Sequence, residues 1–188
     1  MNTLIITAHP TSHNLTIGMS EIIKKERENQ GGFVEVVDLY HDKPQAFYFF
    51  KDAHDTAIDE TQEYYQEKIK KADEIVFVYP FWWGGPPAIM KNWVDSNLTM
   101  GFAAHYVKGR PQGLLQGKRV KVFTTSGAPK FLYRLTGVLF ATKKLWKQTI
   151  VEFCGMKFDG YYHFGGVDTS GKSVEKIFKS VENIVKEK

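Results

Sequence analysis

The chain has 188 residues, 43% of them hydrophobic and 24% charged, with a formal net charge of +4. A chain of this size buries a sizeable core without covalent staples, and its single cysteine, Cys154, excludes a disulfide framework or a thiolate metal cluster. The mild positive charge is spread along the chain with no stacking motif beside it, so a nucleic-acid groove does not fit.

Asn2 to Ala8 reads as an apolar strand, and His9 to Asn14 as a polar loop. Because strand-like residues stand at the very start, no signal peptide is expected, and the compartment implied is cytoplasmic and reducing. Leu15, Met19, Ile22 and Ile23 recur at helical spacing until Gly31 and Gly32 stop the helix. Phe33 to Tyr40 alternates like a strand, Asp42 to Asp55 is aromatic-rich and irregular, and a helix follows with Tyr65, Ile69 and Ala72 on one face. Ile75 to Tyr79 is a continuous β-branched and aromatic run, the pattern of a strand buried on both faces. It halts at Pro80, before two adjacent tryptophans and two glycines, and the next helix opens with Pro86 and Pro87 and runs to about Asn97. The longest uncharged stretch, Ile75 to Met90, is broken by prolines and too short to span a bilayer.

A fourth strand spans Arg119 to Thr125 and ends in Ser126 and Gly127, with Lys118, Arg119 and Lys121 expected as solvated surface. A helix lies within Phe131 to Gln148, and Gly155 to Phe164 supplies a fifth strand. Val174, Ile177, Phe178, Val181, Ile184 and Val185 form the apolar stripe of a closing helix. Strand–helix alternation without linkers or repeats predicts one α/β domain over residues 1–188, a five-stranded parallel sheet with helices on both faces.

In such sheets ligands bind beyond the carboxyl ends of the strands. The loop after the first strand contains no G-x-G-x-x-G turn, but it places His9, Thr11, Ser12 and Asn14 just before a helix that opens at Leu15. Free N–H groups and the helix dipole favour a phosphate there, with helix capping by Ser12 or Asn14 as the alternative reading. After the third strand, Trp82 and Trp83 on a Gly84-Gly85 loop offer a wall for a flat aromatic cofactor; core filling by one of them is the alternative. After the fourth strand, Thr124, Thr125, Ser126, Gly127 and Ala128 are small enough for a flat ligand to approach the backbone N–H groups, or they form an ordinary turn. His41, His54, His105 and His163 have no metal-like spacing and read as surface or core, and Cys154 as a buried small hydrophobe.

Taken together, His9-Pro10-x-Ser12-x-Asn14, then Pro80-Phe81-Trp82-Trp83-Gly84-x-Pro86-x-x-x-Met90-Lys91-x-Trp93, then Thr124-Thr125-x-Gly127 resemble the flavodoxin-like NAD(P)H:quinone oxidoreductases, as does Phe153-Cys154-Gly155. This family includes DT-diaphorase and short bacterial NAD(P)H oxidoreductases, some of them ancillary subunits of potassium efflux systems. The resemblance implies a flavin-binding homodimer that passes hydride from NAD(P)H through the flavin to quinones or similar acceptors by a ping-pong mechanism. It implies that His9, Thr11, Ser12, Asn14 and Leu15 meet the cofactor phosphate. Pro80, Phe81, Trp82, Trp83 and Gly84 would lie beside the ring, and Thr124 to Ala128 along its opposite side and polar edge. Tyr133 falls close to a tyrosine that handles charge on the reduced flavin in mammalian members, whose nearby histidine has no counterpart around Gly137. Phe102 and Tyr106 correspond to a stretch near the dimer-borne pocket. The short C-terminal region favours FMN over FAD. Two alternatives carry other roles: a regulatory flavoprotein contacting a membrane potassium transporter, or a non-enzymatic electron carrier, although such carriers are usually acidic. Azo and nitro compounds are further candidate acceptors.

Overall fold

A computed structural model describes residues 1–47, 57–167 and 173–186. His54 and most of the aromatic-rich stretch after Asp42 lie outside the described residues. The five main strands are β1 (Asn2–Thr7), β2 (Phe33–Asp38), β3 (Glu74–Pro80), β6 (Arg119–Ser126) and β7 (Lys157–Gly165). All pair in parallel in the order β2-β1-β3-β6-β7. The expected doubly wound sheet is therefore present, with β3 at its centre.

Burial explains that order. Every residue of β3 is buried, as its unbroken apolar run demands. Ile75 and Phe77 point into one core with Leu4, Ile6, Trp93 and Trp146, whereas Val76 and Val78 point into the other with Ile5, Met19, Ile23, Phe123 and Val181. Helix α1 (Leu15–Asn29) starts where the Asn14 side chain accepts from the Ile17 N–H at 3.0 Å. It stops before Gly31, whose φ of 77° lies in the left-handed region that favours glycine. Helix α2 (Glu60–Lys71) opens with a capping box between Asp59 and Gln62. Helix α3 (Ala88–Asn97) begins one residue after Pro87 rather than at the two prolines.

Other segments depart further from the sequence reading. A hairpin of β4 (Ala104–Val107) and β5 (Arg110–Gly113) turns at Lys108 and Gly109, both at positive φ. The single helix expected within Phe131 to Gln148 is three segments. They are α4 (Lys130–Leu135), α5 (Val138–Lys144) after a left-handed Gly137, and a π-helical stretch Leu145–Glu152 that places Trp146 in the core. The closing helix α6 (Val174–Lys186) packs against α1.

The basic run at the start of β6 is not a solvated surface. Lys121 is only 5% exposed, and its ammonium donates to Glu74 Oε1 at 2.8 Å. Arg27 donates through Nε and Nη2 to both Glu74 oxygens, each at 2.7 Å, and through Nη1 to the Val185 carbonyl at 2.6 Å. Arg119 pairs with Asp159, and Lys118 donates to the Lys70 and Ala72 carbonyls. Lys121 sits in the middle of a strand covered on both faces, so its charge is buried and demands a partner.

Burial on its own raises the Glu74 pKa, but the hydrogen bonds and charges of Arg27 and Lys121 outweigh it and hold the carboxyl at about 2. A depressed carboxylate contributes stability above its unfolded pKa and loses it as pH falls toward the folded one. That window runs from about 4.5 down to about 2. Glu74→Gln should therefore lower unfolding free energy by about 3 kcal/mol at pH 7. It should also flatten the acid limb of stability between those pH values, as read by urea unfolding across a pH series.

Candidate functional site

The parallel register brings three loops together. Thr7 lies opposite Val78, and Tyr79 and Pro80 lie opposite Thr124 and Thr125. The Phe81 N–H then donates to the Thr125 carbonyl at 2.7 Å, which ties the second loop to the third.

In the first loop the Thr11 N–H donates to His9 Nδ1 at 3.2 Å, so the proton of the neutral ring sits on Nε2 and is free to donate outward. Burial lowers the His9 pKa, against smaller opposing effects of Thr11 and Asp38. Asn14 caps α1, as one of the two sequence readings had it. Its amide also donates to the Thr11 carbonyl, which curls the loop over the helix start. Ser12 is exposed and Leu15 half-buried against the second core. Among the described residues, the N–H groups of Ser12, His13, Asn14, Leu15 and Thr16 have no protein acceptor. Five adjacent unpaired N–H groups at a helix N-terminus form a cradle for an anion.

The second loop is a tight turn. Trp82 and Gly85 exchange N–H···O bonds of 2.9 Å each way, with φ of 52° at Trp83 and 84° at Gly84. These are the angles of a type I′ turn, which a bulky tryptophan adopts at an energetic cost. The Thr142 hydroxyl clamps the turn by donating to the Gly84 carbonyl at 2.6 Å. Core filling by a tryptophan is not observed: Trp83 is fully exposed and Trp82 is 42% exposed. The Trp82 ring stands 6.5 Å from that of His9, joining the aromatic wall to the anion cradle. Pro80, the last residue of β3, and Phe81 are buried.

In the third loop Thr124, Thr125 and Ser126 are buried, Ala128 is half-buried and Gly127 is exposed. The Ser126 carbonyl accepts from the Val167 N–H, and the Ala128 carbonyl from the Gly166 N–H, both at 3.0 Å. Among the described residues, the N–H groups of Gly127 and Ala128 have no acceptor, which leaves two donors for a polar edge. Gly165 allows this close seating: a Cβ there would stand 2.4 Å from Lys130 N. Tyr133 is half-buried with its ring edge-on to Phe81 at 5.0 Å, and its hydroxyl has no partner among the described residues.

One residue of this constellation escaped the sequence reading. His163, in β7, is buried behind the third loop with hydrogen bonds to Thr124 and Ser126 and ring contacts to Phe81 and Tyr133. Its pairing opposite Thr124 is set by the β6–β7 register, which includes a shift between Val120 and Lys121, and no local pattern announces it. Cys154 is buried as expected, and burial pushes its thiol up to about 11, which removes it from nucleophilic chemistry. Among the described residues no His, Cys, Asp or Glu cluster is arranged to hold a metal. The donors and the wall instead suit a phosphorylated, planar cofactor: an anion cradle at one end, exposed indoles alongside, and paired N–H groups for a polar ring edge.

Since Trp83 is strained and exposed, Trp83→Gly should leave the protein as stable or raise its Tm by a few degrees, from about 1 kcal/mol of relieved backbone strain. A fall of several degrees in a thermal melt would show that the ring is held by protein contacts instead.

The comparisons with known proteins agree with this geometry. Residues 1–187 match the family described as flavodoxin-like fold. Human ribosyldihydronicotinamide dehydrogenase [quinone] is 31% identical over 179 residues, spanning 82% of this chain and 77% of that protein. An uncharacterized NAD(P)H oxidoreductase of Haemophilus influenzae is 30% identical over 177 residues, spanning 89% and 85%. The structure of an NAD(P)H:quinone oxidoreductase from Methanothermobacter marburgensis superposes with a TM-score of 0.86 at 22% identity, covering 98% of this chain and 95% of that one. An FMN-dependent NADH-azoreductase from Bacillus anthracis, solved in complex with FMN, superposes at 0.71 and 19% identity, covering 98% and 97%. The fold, the three converging loops and these relatives place the chain in the flavodoxin-like family that includes the NAD(P)H:quinone oxidoreductases.

Proposed function

We propose that this protein is a flavin-dependent NAD(P)H oxidoreductase that delivers electrons to quinones or similar acceptors by a ping-pong mechanism, with FMN as the bound flavin. The observation that carries the reading is the meeting of the unpaired Ser12–Thr16 N–H groups, the exposed Trp82–Trp83 turn and the unpaired Gly127 and Ala128 N–H groups at one edge of the sheet. The FMN-bound azoreductase of the same fold supports FMN. When bound, the flavin supplies the redox chemistry, accepting a hydride from NAD(P)H and passing two electrons on.

The chain's own contribution is orientation and electrostatics. His9 Nε2, Thr11, Ser12 and the helix N-terminus would hold the phosphate, and Phe81, Trp82, Trp83 and Gly84 would line the ring. The Gly127 and Ala128 N–H groups would supply fixed donors to the polar edge of the flavin and would offset negative charge there. The free Tyr133 hydroxyl adds a donor beside them. A single open face then serves NAD(P)H and the acceptor in turn, which makes the wall more important than a catalytic acid.

The same mouth carries exposed apolar side chains on α4 and α5, among them Phe131, Phe140 and Leu135, the last 83% exposed. A patch of this kind marks an association surface, and a second copy of this chain is its proposed occupant, completing the pocket at a homodimer interface. The family resemblance then assigns a part in acceptor choice to Phe102 and Tyr106, contributed across that interface.

An absorption spectrum of the purified protein, followed anaerobically by one equivalent of NAD(P)H, tests the function. Oxidised flavin bands that bleach support it, whereas bands that persist indicate a carrier or a regulatory subunit. Absence of flavin even after incubation with FMN and FAD sinks the reading. In the same titration Tyr133→Phe should slow bleaching about tenfold or more if its hydroxyl assists, and unchanged kinetics remove it from the mechanism. Sedimentation velocity should show a dimer for the native chain and a monomer for Phe140→Glu; a native monomer refutes the shared pocket.

A further inference from the structure

His163 occupies a place that the proposed chemistry does not use directly. It is 3% exposed, and both ring nitrogens are engaged: Nδ1 lies 2.8 Å from Thr124 Oγ1 and Nε2 lies 3.0 Å from Ser126 Oγ. Both partners are hydroxyls, each of which can donate or accept, so the direction of the chain must be found by counting hydrogens. Ser126 Oγ donates its one proton to the Ala128 carbonyl at 2.8 Å. It can therefore only accept from His163, which puts the ring proton on Nε2. Nδ1 is then the acceptor, and Thr124 must donate to it. The result is a one-way chain running Thr124 Oγ1–H to His163 Nδ1, His163 Nε2–H to Ser126 Oγ, and Ser126 Oγ–H to the Ala128 carbonyl.

We propose that His163 is a positioning residue which, as the neutral Nε2–H tautomer, locks the Ser126–Ala128 backbone so that the Gly127 and Ala128 N–H groups face the cofactor edge. The proposal rests on the flavin reading given above for the use of those N–H groups, but the hydrogen-bond chain stands without it. The lock is bilateral. The Ala128 carbonyl takes the Ser126 hydroxyl and the Gly166 N–H, the latter at 3.0 Å, so the peptide that carries it cannot rotate without losing both. The Ser126 carbonyl, on the same peptide as the Gly127 N–H, accepts from the Val167 N–H at 3.0 Å, so the Gly127 and Ala128 N–H groups lie between two anchored peptides.

The same imidazole braces the aromatic side of the pocket. Its ring meets Phe81 edge-on at 5.0 Å and Tyr133 at 5.6 Å with an interplanar angle of 89°, while Phe81 and Tyr133 meet each other at 5.0 Å. Three rings from the β3 end, α4 and β7 thus close on one another, and the His163 ring also bonds to the Thr124 and Ser126 side chains. An apolar side chain of similar size would retain the ring packing and leave Thr124 and Ser126 without their shared partner. In a protonated imidazole both ring nitrogens are donors, so Thr124 would have to turn its hydroxyl and accept from Nδ1–H instead of donating to it. Burial and the positive charge of Lys130 oppose that state and push the His163 pKa down to about 4, so the neutral chain persists across the physiological range.

Two measurements on the full-length protein decide the matter. Nitrogen-15 NMR of the histidine rings, with His163→Gln supplying the assignment, should show a neutral Nε2–H tautomer that does not titrate between about pH 8 and pH 5.5. An imidazolium or an Nδ1–H tautomer at pH 7 overturns the proposal whether or not flavin binds. FMN dissociation constants from fluorescence titration provide the second arm. His163→Leu should weaken FMN about tenfold or more, whereas His163→Gln, which keeps one donor and one acceptor, should recover most of that loss. Ser126→Ala combined with His163→Leu should bind no more weakly than His163→Leu alone, since both break one chain. Additive losses, or a glutamine variant as weak as the leucine one, would show that His163 merely fills space. If the native protein binds no flavin, the functional reading fails and the NMR arm alone decides the hydrogen-bond chain.

Discussion

The buried Glu74 carboxylate constrains the rest of this molecule. It opens the central strand, pairs opposite Thr3 and Arg119 across the two flanking strands, and accepts from Arg27 and Lys121 and from the Thr3 hydroxyl at 3.2 Å. A charge that deep is tolerated only with its partners in place, so helix α1, β1, β3 and β6 must assemble in one alignment. In a parallel sheet a slip by a single residue would also exchange the two cores, since Ile75 and Val76 face opposite layers. Alignment at the amino ends then dictates what meets at the carboxyl ends. Thr7, Val78, Tyr79 and Thr124 finish near one another because Thr3, Glu74 and Arg119 begin together.

The two ends of the sheet obey different rules. At the Glu74 end the buried charges are paired: Arg27 is spent on Glu74, Gln30 and Val185, and Lys121 on Glu74. At the opposite end runs of backbone N–H groups are left unpaired, a tryptophan holds a positive φ, and indole rings face solvent. Such departures from local preference persist only where the surroundings over-determine them, and they concentrate where ligands bind. Here the surroundings are identifiable: the Thr142 hydroxyl on the Gly84 carbonyl, the Asn14 cap on α1, and the Gly166–Val167 backbone just after β7 against the third loop. The rigid end supplies the alignment that the unsatisfied end uses.

Much of this is legible in the amino-acid sequence. Alternation of apolar runs and helical stripes announced the doubly wound sheet, and the central strand declared its two-sided burial by having no polar face. Asn14 at the start of α1 and the Trp82–Trp83 pair on a glycine turn carried their local chemistry openly. The β4–β5 hairpin did not, because Arg110, Pro111, Gln112 and Gly113 have no strand preference and their pairing is imposed by neighbours. The break at Gly137 and the π-helical stretch after it were equally hidden, since helical periodicity continues through both.

The sequence by itself determined the elements, their order and the three loops that carry polar, aromatic and small residues, because these follow from short-range periodicity and turn chemistry. Only the tertiary structure decided which side chains are partnered across the fold. Lys121 looks like surface in a basic run and is a buried counter-ion, and His163 looks like an isolated histidine and is bound to Thr124 and Ser126 behind the third loop. Both assignments depend on strand register, which sums contacts over the whole sheet and leaves no mark within a few residues of either position.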